Sequence, residues 1–358
     1  MIQRKKTRQV KVGNLFIGGD APISVQSMTT TKTEDARETI NQIRKLEDAG
    51  CEIARVAVPT LEAAEAIKEI KRNIHIPLVA DIHFDYRLAL KSIENGVDKV
   101  RINPGNIGSK ERIRAVLSAA KERGIPIRIG VNSGSLEKDL LKKYDKICPE
   151  ALVESAMRHV RICQENDFED IVLSLKASDV SMMIDTYRLI ARQVDYPLHL
   201  GVTEAGTLRS GIIKSAVGIG TLLAEGIGDT IRVSLTEDPV EEIRAGFEIL
   251  KSLKLRKHGI NIVSCPTCGR LEVDLISIVN KVEKRLSGYD KEMTISILGC
   301  AVNGPGEALE ADIGVACGKH SALIYKKGVK VKKIPENEIV NYLVEEVEKW
   351  PEDVNQRH

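Results

Sequence analysis

Leu78-Val-Ala-Asp-Ile-His83 and Lys99-Val-Arg-Ile-Asn103 are two short β-rich runs with a helical pattern between them. In both runs one set of alternate residues is apolar, such as Leu78, Ala80 and Ile82, whereas the other set ends in polar residues. Successive side chains of a strand point to opposite faces. Each run is therefore predicted to be a strand with two different faces. Helices cover the apolar face, and the polar face points into the interior of a closed sheet.

The same unit recurs along the first part of the chain. Runs of this kind begin near Ile23, Ile53, Leu78, Lys99, Ile127, Ile171, Leu198 and Ile231. Helical patterns separate them, including one capped by Thr33, one that follows Ser109 and one opened by Asp238-Pro239. Eight β-then-α units predict a (β/α)8 TIM barrel. The alternative is a doubly wound open sheet, whose glycine fingerprint is absent here.

Polar residues concentrate toward the carboxyl ends of these runs, which is the catalytic face of a TIM barrel. The predicted substrate-binding residues are Arg55, Asp81, His83, Arg101, Asn103, Arg128, Asn132, Lys176, His199, Arg232 and Ser234. Five of them are cations, and clustered cations are costly unless an anion neutralises them. Guanidinium groups match phosphate oxygens bidentately. The barrel is therefore predicted to bind a small phosphorylated, and specifically diphosphorylated, molecule.

The pattern changes after about Leu255, which predicts a barrel domain over residues 1–255 and a small α+β domain over residues 256–358. The second domain is predicted to contain a helix from Val273 to Leu286 and a strand from Met293 to Leu298. A further strand near Ile313, a lysine-rich hairpin and a terminal helix from Glu336 to Trp350 follow.

Composition excludes several classes of function. The chain has 53 Lys and Arg against 51 Asp and Glu, and only 3% aromatic residues. These values argue against a nucleic-acid or membrane partner. No apolar run reaches the length of a membrane span and the start lacks a signal peptide, so a cytoplasmic protein with reduced cysteines is expected.

Three of the seven cysteines are grouped, in Cys265-Pro-Thr-Cys268 and in Cys300-Ala-Val-Asn-Gly-Pro-Gly-Glu307. A C-x-x-C pair suits zinc, an iron–sulfur cluster or a redox disulfide. The spacing favours a cluster held by three thiolates, although a zinc site completed by Cys317 or His320 stays open. Cys51, Cys148, Cys163 and Cys317 are expected to fill the core.

The cysteine motifs closely resemble those of the 4-hydroxy-3-methylbut-2-en-1-yl diphosphate synthase family. Barrel segments agree as well, including Ala80-Asp-Ile-His-Phe84, Val100-Arg-Ile-Asn-Pro-Gly-Asn106 and Leu200-Gly-Val-Thr-Glu-Ala-Gly206. The likeness covers essentially the whole chain and indicates the two-domain bacterial form.

This resemblance implies a [4Fe-4S] cluster ligated by Cys265, Cys268, Cys300 and Glu307. It implies reductive ring opening of 2-C-methyl-D-erythritol 2,4-cyclodiphosphate to a linear allylic diphosphate, with two electrons from flavodoxin or ferredoxin. It further implies a homodimer in which each cluster domain covers the partner's barrel. We expect Glu204 to supply or relay a proton, and Glu307 to act in catalysis as an exchangeable iron ligand.

The lysine-rich hairpin (Lys326, Lys327, Lys330, Lys332 and Lys333) has two interpretations: it steers the electron carrier, or it protects a sheet edge from aggregation. Two other classes of function also stay open. One is a phosphate-binding aldolase or pterin-synthase type enzyme with a structural zinc module, in which Lys176 forms a Schiff base. The other is an iron–sulfur sensor or scaffold without enzyme activity.

Overall fold

The computed structural model describes residues 2–103, 107–289, 291–302 and 304–351. These residues form two compact units that divide between Arg256 and Lys257. Residues 104–106 and Asn303, which belong to the motifs quoted above, lie outside the described residues.

A short antiparallel hairpin opens the first unit, with β1 (Val10–Val12) paired to β2 (Leu15–Ile17). Val12 and Ile17 pack against Ile53 and Val79, near the amino ends of two later strands. Two of the basic residues before the hairpin pair with carboxylates of the same unit: Arg4 lies 3.1 Å from Asp229 and Arg8 lies 2.8 Å from Asp195. The charge of these two arginines therefore has a structural use.

The described residues of the first unit then form eight parallel strands that alternate with helices. The strands are β3 (Ser24–Met28), β4 (Ile53–Ala57), β5 (Leu78–Ile82), β6 (Lys99–Ile102), β7 (Ile127–Asn132), β8 (Ile171–Lys176), β9 (His199–Leu200) and β10 (Thr230–Ile231). The helices are α1 (Ala36–Asp48), α2 (Leu61–Arg72), α3 (Tyr86–Glu94), α4 (Lys110–Arg123), α5 (Lys138–Tyr144), α6 (Pro149–Gln164), α7 (Val180–Ala191), α8 (Leu208–Ala224) and α9 (Pro239–Ser252).

The strands follow one another around a nearly closed barrel. Strands β3 to β7 each pair in parallel with the next strand, β9 pairs with β10, and β10 pairs with β3. A bridge between Leu173 and Leu198 joins β8 to the residue before β9. The TIM-barrel prediction is confirmed, and the open-sheet alternative is wrong because the first and last strands pair.

The helices form where an apolar stripe follows a capping residue. Helix α1 buries Ile40, Ile43 and Leu46 against the strands. Its cap is Asp35, whose carboxylate accepts a hydrogen bond from the Glu38 N–H at 3.1 Å. The predicted cap at Thr33 is wrong, since the Thr33 hydroxyl donates to the Ala57 carbonyl at 2.6 Å and ties the loop to the end of β4.

The second unit is a mixed sheet with helices on both faces. Its elements are β11 (Ile260–Ser264), α10 (Leu275–Leu286), β12 (Met293–Leu298), α11 (Gly304–Ala308), β13 (Ile313–Gly318), β14 (Ser321–Lys326), β15 (Val329–Pro335) and α12 (Ile339–Lys349). Strands β11, β12 and β13 are parallel, whereas β14 and β15 are antiparallel to their neighbours.

Helices α10 and α12 cover one face of this sheet, and α11 packs on the other with Leu298, Ala316 and Tyr325. The predicted helix from Val273 begins at Leu275, after the Asp274 cap. The predicted terminal helix begins at Ile339, because a 3-10 turn occupies Glu336–Glu338. Among the described residues no helix is long and apolar enough to cross a membrane.

Candidate active site

The barrel interior holds most of the predicted substrate-binding side chains. Strand register places Asp81 beside Arg101 and Arg101 beside Arg128 on three successive strands. Arg55, Arg101, Arg128 and Lys176 are all buried, and Arg128 is only 1% exposed. The cations predicted to lie toward the carboxyl ends of the strands are therefore buried inside the barrel.

Asp81 is a buried carboxylate that lies among these cations. It accepts a hydrogen bond from Arg101 at 3.1 Å and lies 3.9 Å from the Arg55 guanidinium. Burial alone would raise the pKa of Asp81, but Arg55, the hydrogen bond with His83 and Arg101 together hold it well below its usual range. Asp81 is therefore ionised and orients the two guanidinium groups.

His83 and Asn132 extend the network toward the ends of their strands. The half-exposed His83 has its Nε2 atom 3.3 Å from Arg101 and 3.4 Å from Asp81. With the Asn132 amide oriented so that its oxygen faces Arg101, that oxygen accepts from the guanidinium at 3.2 Å. The structure thus brings Asp81, His83, Arg101 and Asn132 together in one network.

Two residues that hold this interior were missed by the sequence analysis. Gln26 on β3 accepts a hydrogen bond from Arg128 at 3.1 Å. Glu242 on α9 is buried and accepts from Arg232 at 3.2 Å and from Ser27 at 2.7 Å. Gln26 shares the polar alternation of the other strands and was detectable, whereas no local pattern connects a helix residue to Arg232.

Glycines give the cations room. A Cβ atom on Gly130 would lie 2.3 Å from the Arg101 Nε atom. A Cβ atom on Gly201 would lie 3.0 Å from the Lys176 ammonium and 2.8 Å from the Arg232 carbonyl oxygen. Both glycines are needed where they stand because the side chains of neighbouring strands occupy the space that a Cβ atom would require.

The interior cations disfavour one another's charge. Burial and the surrounding Arg55, Arg232, Arg128 and Arg101 guanidiniums lower the pKa of Lys176 well below its usual value. Burial lowers the pKa of Arg55 to about 9 as well, with Arg232 and Arg101 adding to the effect and Asp81 opposing it. A bound anion would relieve this repulsion.

Several interior side-chain nitrogens have no hydrogen-bond partner among the described residues. They are the Arg128 Nε, the Gln26 Nε2, the Lys99 Nζ and the His199 Nε2 atoms. Lys99 and His199 are the first residues of β6 and β9, so they lie deep in the barrel rather than at its carboxyl end. His199, predicted to bind substrate, is fully buried and approaches the Thr230 hydroxyl at 3.4 Å.

Three predicted residues lie around this interior. Asn103 directly follows β6 and is buried, and Ser234 lies past the end of β10 and is half-buried. Glu204 is exposed in the segment after β9 and has a φ of +53°, a conformation that non-glycine residues rarely adopt. Such strain is typical of functional positions, where the surrounding structure holds a side chain in place.

In the second unit, the cysteine motifs follow the carboxyl ends of two adjacent parallel strands. Cys265 follows β11, Cys300 follows β12, and the Gly299 N–H donates to the Cys265 sulfur at 3.3 Å. Cys268 and Glu307 are exposed. The pKa of Cys317 is raised to about 12, chiefly by burial, with contributions from Glu336, Cys265 and Cys300, so the three cysteines lie in one region.

The donor set fits an iron–sulfur cluster in its chemistry. Three thiols and a carboxylate stand at adjacent strand ends, and a backbone N–H already donates to one sulfur. The structure does not gather the four donors, because the described residues contain no group of three Cys, His, Asp or Glu side chains placed to hold a metal ion. The buried Cys51, Cys163 and Cys317 fill the core as expected, whereas Cys148 is only partly buried.

The fold and the interior together define a TIM-barrel protein with buried arginine and lysine side chains inside the barrel, followed by a unit with cysteine motifs at adjacent strand ends. The chain belongs to the GcpE family: the model of the GcpE TIM-barrel domain matches residues 7–247, and that of the GcpE protein C-terminal domain matches residues 261–349.

Curated relatives carry the name that the motifs suggested. A "4-hydroxy-3-methylbut-2-en-1-yl diphosphate synthase (flavodoxin)" of Clostridium acetobutylicum is 60% identical over 97% of this chain and 99% of the relative. One of Geobacter sulfurreducens is 58% identical over 97% of this chain and 98% of the relative. The family predicted from the sequence is confirmed.

A solved structure shows the same barrel fold. Dihydropteroate synthase from Stenotrophomonas maltophilia superposes with a TM-score of 0.51 at 12% identity, over 69% of this chain and 98% of that one. This likeness supports the fold alone.

Proposed function

We propose that this chain catalyses the reductive ring opening of 2-C-methyl-D-erythritol 2,4-cyclodiphosphate to 4-hydroxy-3-methylbut-2-en-1-yl diphosphate in the non-mevalonate isoprenoid pathway. The observation that carries the proposal is its 60% identity, over 97% of its length, to enzymes that bear this product's name. The test is anaerobic turnover of the cyclic diphosphate with reduced flavodoxin. Failure to form the linear diphosphate with an intact cofactor would overturn the proposal.

The cationic interior is proposed to bind the diphosphate. Arg55, Arg101, Arg128, Arg232 and Lys176 would bind the phosphate oxygens, while Asp81 and Glu242 keep the guanidiniums oriented. The substrate would also contact residues at the carboxyl ends of the strands, namely His83, Asn103, Asn132 and Ser234. His199 would support the site from the amino end of β9. Buried cations of this density are stabilised by an anion of opposite charge.

Glu204 is proposed to supply or relay the proton for the loss of water. In support, Glu204 is exposed, has a left-handed backbone conformation and belongs to the segment that follows the carboxyl end of β9, the end at which TIM barrels keep catalytic groups. Glu204→Gln preserves the shape and removes the proton. We expect a fall in kcat of at least about 100-fold with little change in substrate affinity, and near-normal turnover would exclude this role.

Cys265, Cys268, Cys300 and Glu307 are proposed to hold a [4Fe-4S] cluster. When bound, such a cluster supplies electrons and a Lewis-acidic iron. Iron and acid-labile sulfide analysis of protein purified without oxygen tests the assignment. About four of each per chain, lost in Cys300→Ser but retained in Cys163→Ser, would support it. One zinc and no sulfide would contradict it.

Flavodoxin is proposed as the electron donor because the curated relatives' names specify it. Thiolate ligands also require a reducing compartment, so the proposal places the chain in the cytoplasm. From the family resemblance we further propose a homodimer in which each C-terminal unit serves the partner's barrel.

Lys176 supports a second candidate, an imine-forming enzyme of the aldolase type. A buried lysine next to other cations has a lowered pKa and becomes nucleophilic. Borohydride treatment in the presence of a small phosphorylated aldehyde or ketone distinguishes the two, because imine formation needs a carbonyl group and the cyclic diphosphate has none. We expect no covalent adduct at Lys176, and a trapped adduct would favour the second candidate.

A further inference from the structure

Five lysines lie along the β14–β15 hairpin, and three of them are held by helix α12 and the residue that follows it. Lys326 pairs with Glu346, and Lys332 lies over the Tyr342 ring, 4.2 Å from its centre. Lys327 lies over the Trp350 ring at 5.4 Å. These three lysines therefore have structural roles within the unit.

Lys330 and Lys333 differ from the other three. Both are exposed, and neither has a hydrogen bond, ion pair or ring contact with any described residue. Residues three apart on a regular strand point to opposite faces. A bulge at Val331 changes this, because Lys330 pairs with Tyr325 and Lys333 pairs with Leu323. Directly paired residues share a face, so the bulge places both lysines on the side of Tyr325 and Leu323.

That side of the sheet is the one covered by α11. Tyr325 and Leu323 pack with Leu298, Ala308 and Ala316. At the hairpin turn, a Cβ atom placed on Gly328 would lie 3.5 Å from the Leu309 carbonyl oxygen, so the turn lies next to Leu309. The two unpartnered lysines thus border the segment that carries Cys300 and Glu307.

The same segment exposes apolar side chains. Val302 is 68% exposed and Leu309 is 45% exposed. Glu307 lies on α11 and Glu310 lies just after it, so this part of the face is acidic. The positive charge of the face therefore lies where it borders the β14–β15 hairpin. Exposed apolar groups edged by free cations are typical of a surface that binds an acidic protein partner.

We propose that this face, formed by Val302, Leu309, Lys330 and Lys333, is the docking surface for flavodoxin, a small acidic flavoprotein. The inference rests on the proposed function and adds the place where the carrier binds. Protection of the sheet edge, the other interpretation, also uses lysines and bulges, but it predicts no effect of these two lysines on flavodoxin kinetics.

The test compares two double charge reversals in the same unit. Lys330→Glu with Lys333→Glu changes the proposed surface. Lys281→Glu with Lys284→Glu, on the outer side of α10, has the same spacing and charge change on the opposite face of the sheet. Turnover is measured with reduced flavodoxin and, separately, with reduced methyl viologen, which needs no protein docking.

We expect the Lys330 and Lys333 variant to lose about tenfold in kcat/KM for flavodoxin at low ionic strength, mainly through KM. Its viologen-driven turnover should stay close to wild type, and the α10 variant should change in neither assay. Wild-type flavodoxin kinetics should also depend more steeply on salt than those of the variant.

Equal flavodoxin kinetics in wild type and variant, or an equal loss in the α10 control, would overturn the docking surface. A calorimetric titration with oxidised flavodoxin gives a second readout that does not need turnover, and unchanged affinity in the variant would also overturn it. If wild type turns over the cyclic diphosphate with neither donor, the proposed function fails, while the titration still decides whether flavodoxin binds here.

Discussion

Gly130 leaves the space that the Arg101 guanidinium occupies in the barrel. A Cβ atom there would lie 2.3 Å from the Arg101 Nε atom, so Gly130→Ala must displace the guanidinium from Asp81. We expect the Kd for inorganic pyrophosphate to rise about tenfold, the cost of roughly one charge-assisted hydrogen bond. Gly220→Ala on α8, where the nearest atom is 4.0 Å away, is the control and should leave the Kd unchanged. Equal affinities for all three proteins would show that Arg101 does not bind the anion.

Lys176 makes anion binding dependent on pH. Its pKa is lowered in the free protein, chiefly by burial and then by the surrounding guanidiniums. A bound diphosphate raises that pKa, and the complex then holds more protons than the free protein. Affinity should therefore fall as pH rises from the lowered pKa of the free protein toward the higher pKa of the complex.

Calorimetric titration with pyrophosphate in buffers of different ionisation enthalpy measures this proton uptake. Lys176→Met should take up fewer protons than wild type, whereas Lys281→Met, on the surface of the second unit, should match wild type. Identical uptake in wild type and Lys176→Met would show that another group titrates.

Helix α9 supports the barrel through one buried carboxylate. Glu242 accepts hydrogen bonds from Arg232, from Ser27 and from the Leu235 N–H, and thereby fixes β10 and its loop against β3. Glu242→Gln leaves Arg232 without a counter-charge, which should destabilise the barrel by about 3 kcal/mol. Denaturation followed by circular dichroism measures the loss, and Glu241→Gln on the outer side of the same helix is the control. Because pyrophosphate supplies the missing negative charge, it should stabilise Glu242→Gln more than wild type.

The strands were predictable from the sequence because each carries a period-two pattern. Their predicted starts lie within one residue of the observed ones at Ser24, His199 and Thr230. The predicted cap at Thr33 was wrong because two candidate caps stand close together, and only the tertiary contact with Ala57 decides between them. Glu242 could not be predicted as part of the interior, since its contact with Arg232 depends on how α9 packs.

The second unit shows the same limit for the cysteine motifs. The sequence predicted that Cys265 and Cys300 follow strands, and the parallel pairing of β11 with β12 brings those strand ends side by side. It also suggested a four-donor site, whereas the described residues do not gather Cys268 and Glu307 with them. The spacing of residues along the chain predicts which side chains are metal donors. The distances between those donors depend on the conformation of the loops that carry them.

The proposed homodimer makes a prediction for the whole molecule. If each C-terminal unit serves the partner's barrel, a dimer of one Glu204→Gln chain and one Cys300→Ser chain contains one complete site, built from the intact parts of both chains. If each unit serves its own barrel, the same dimer contains none.

Co-expression with two different tags and purification on both isolates this mixed dimer. We expect about half the wild-type activity, because one of the two sites is intact. A dimer of Cys265→Ser with Cys300→Ser should stay inactive under either arrangement. An inactive mixed dimer, from single variants that are each folded, would show that every chain works within itself.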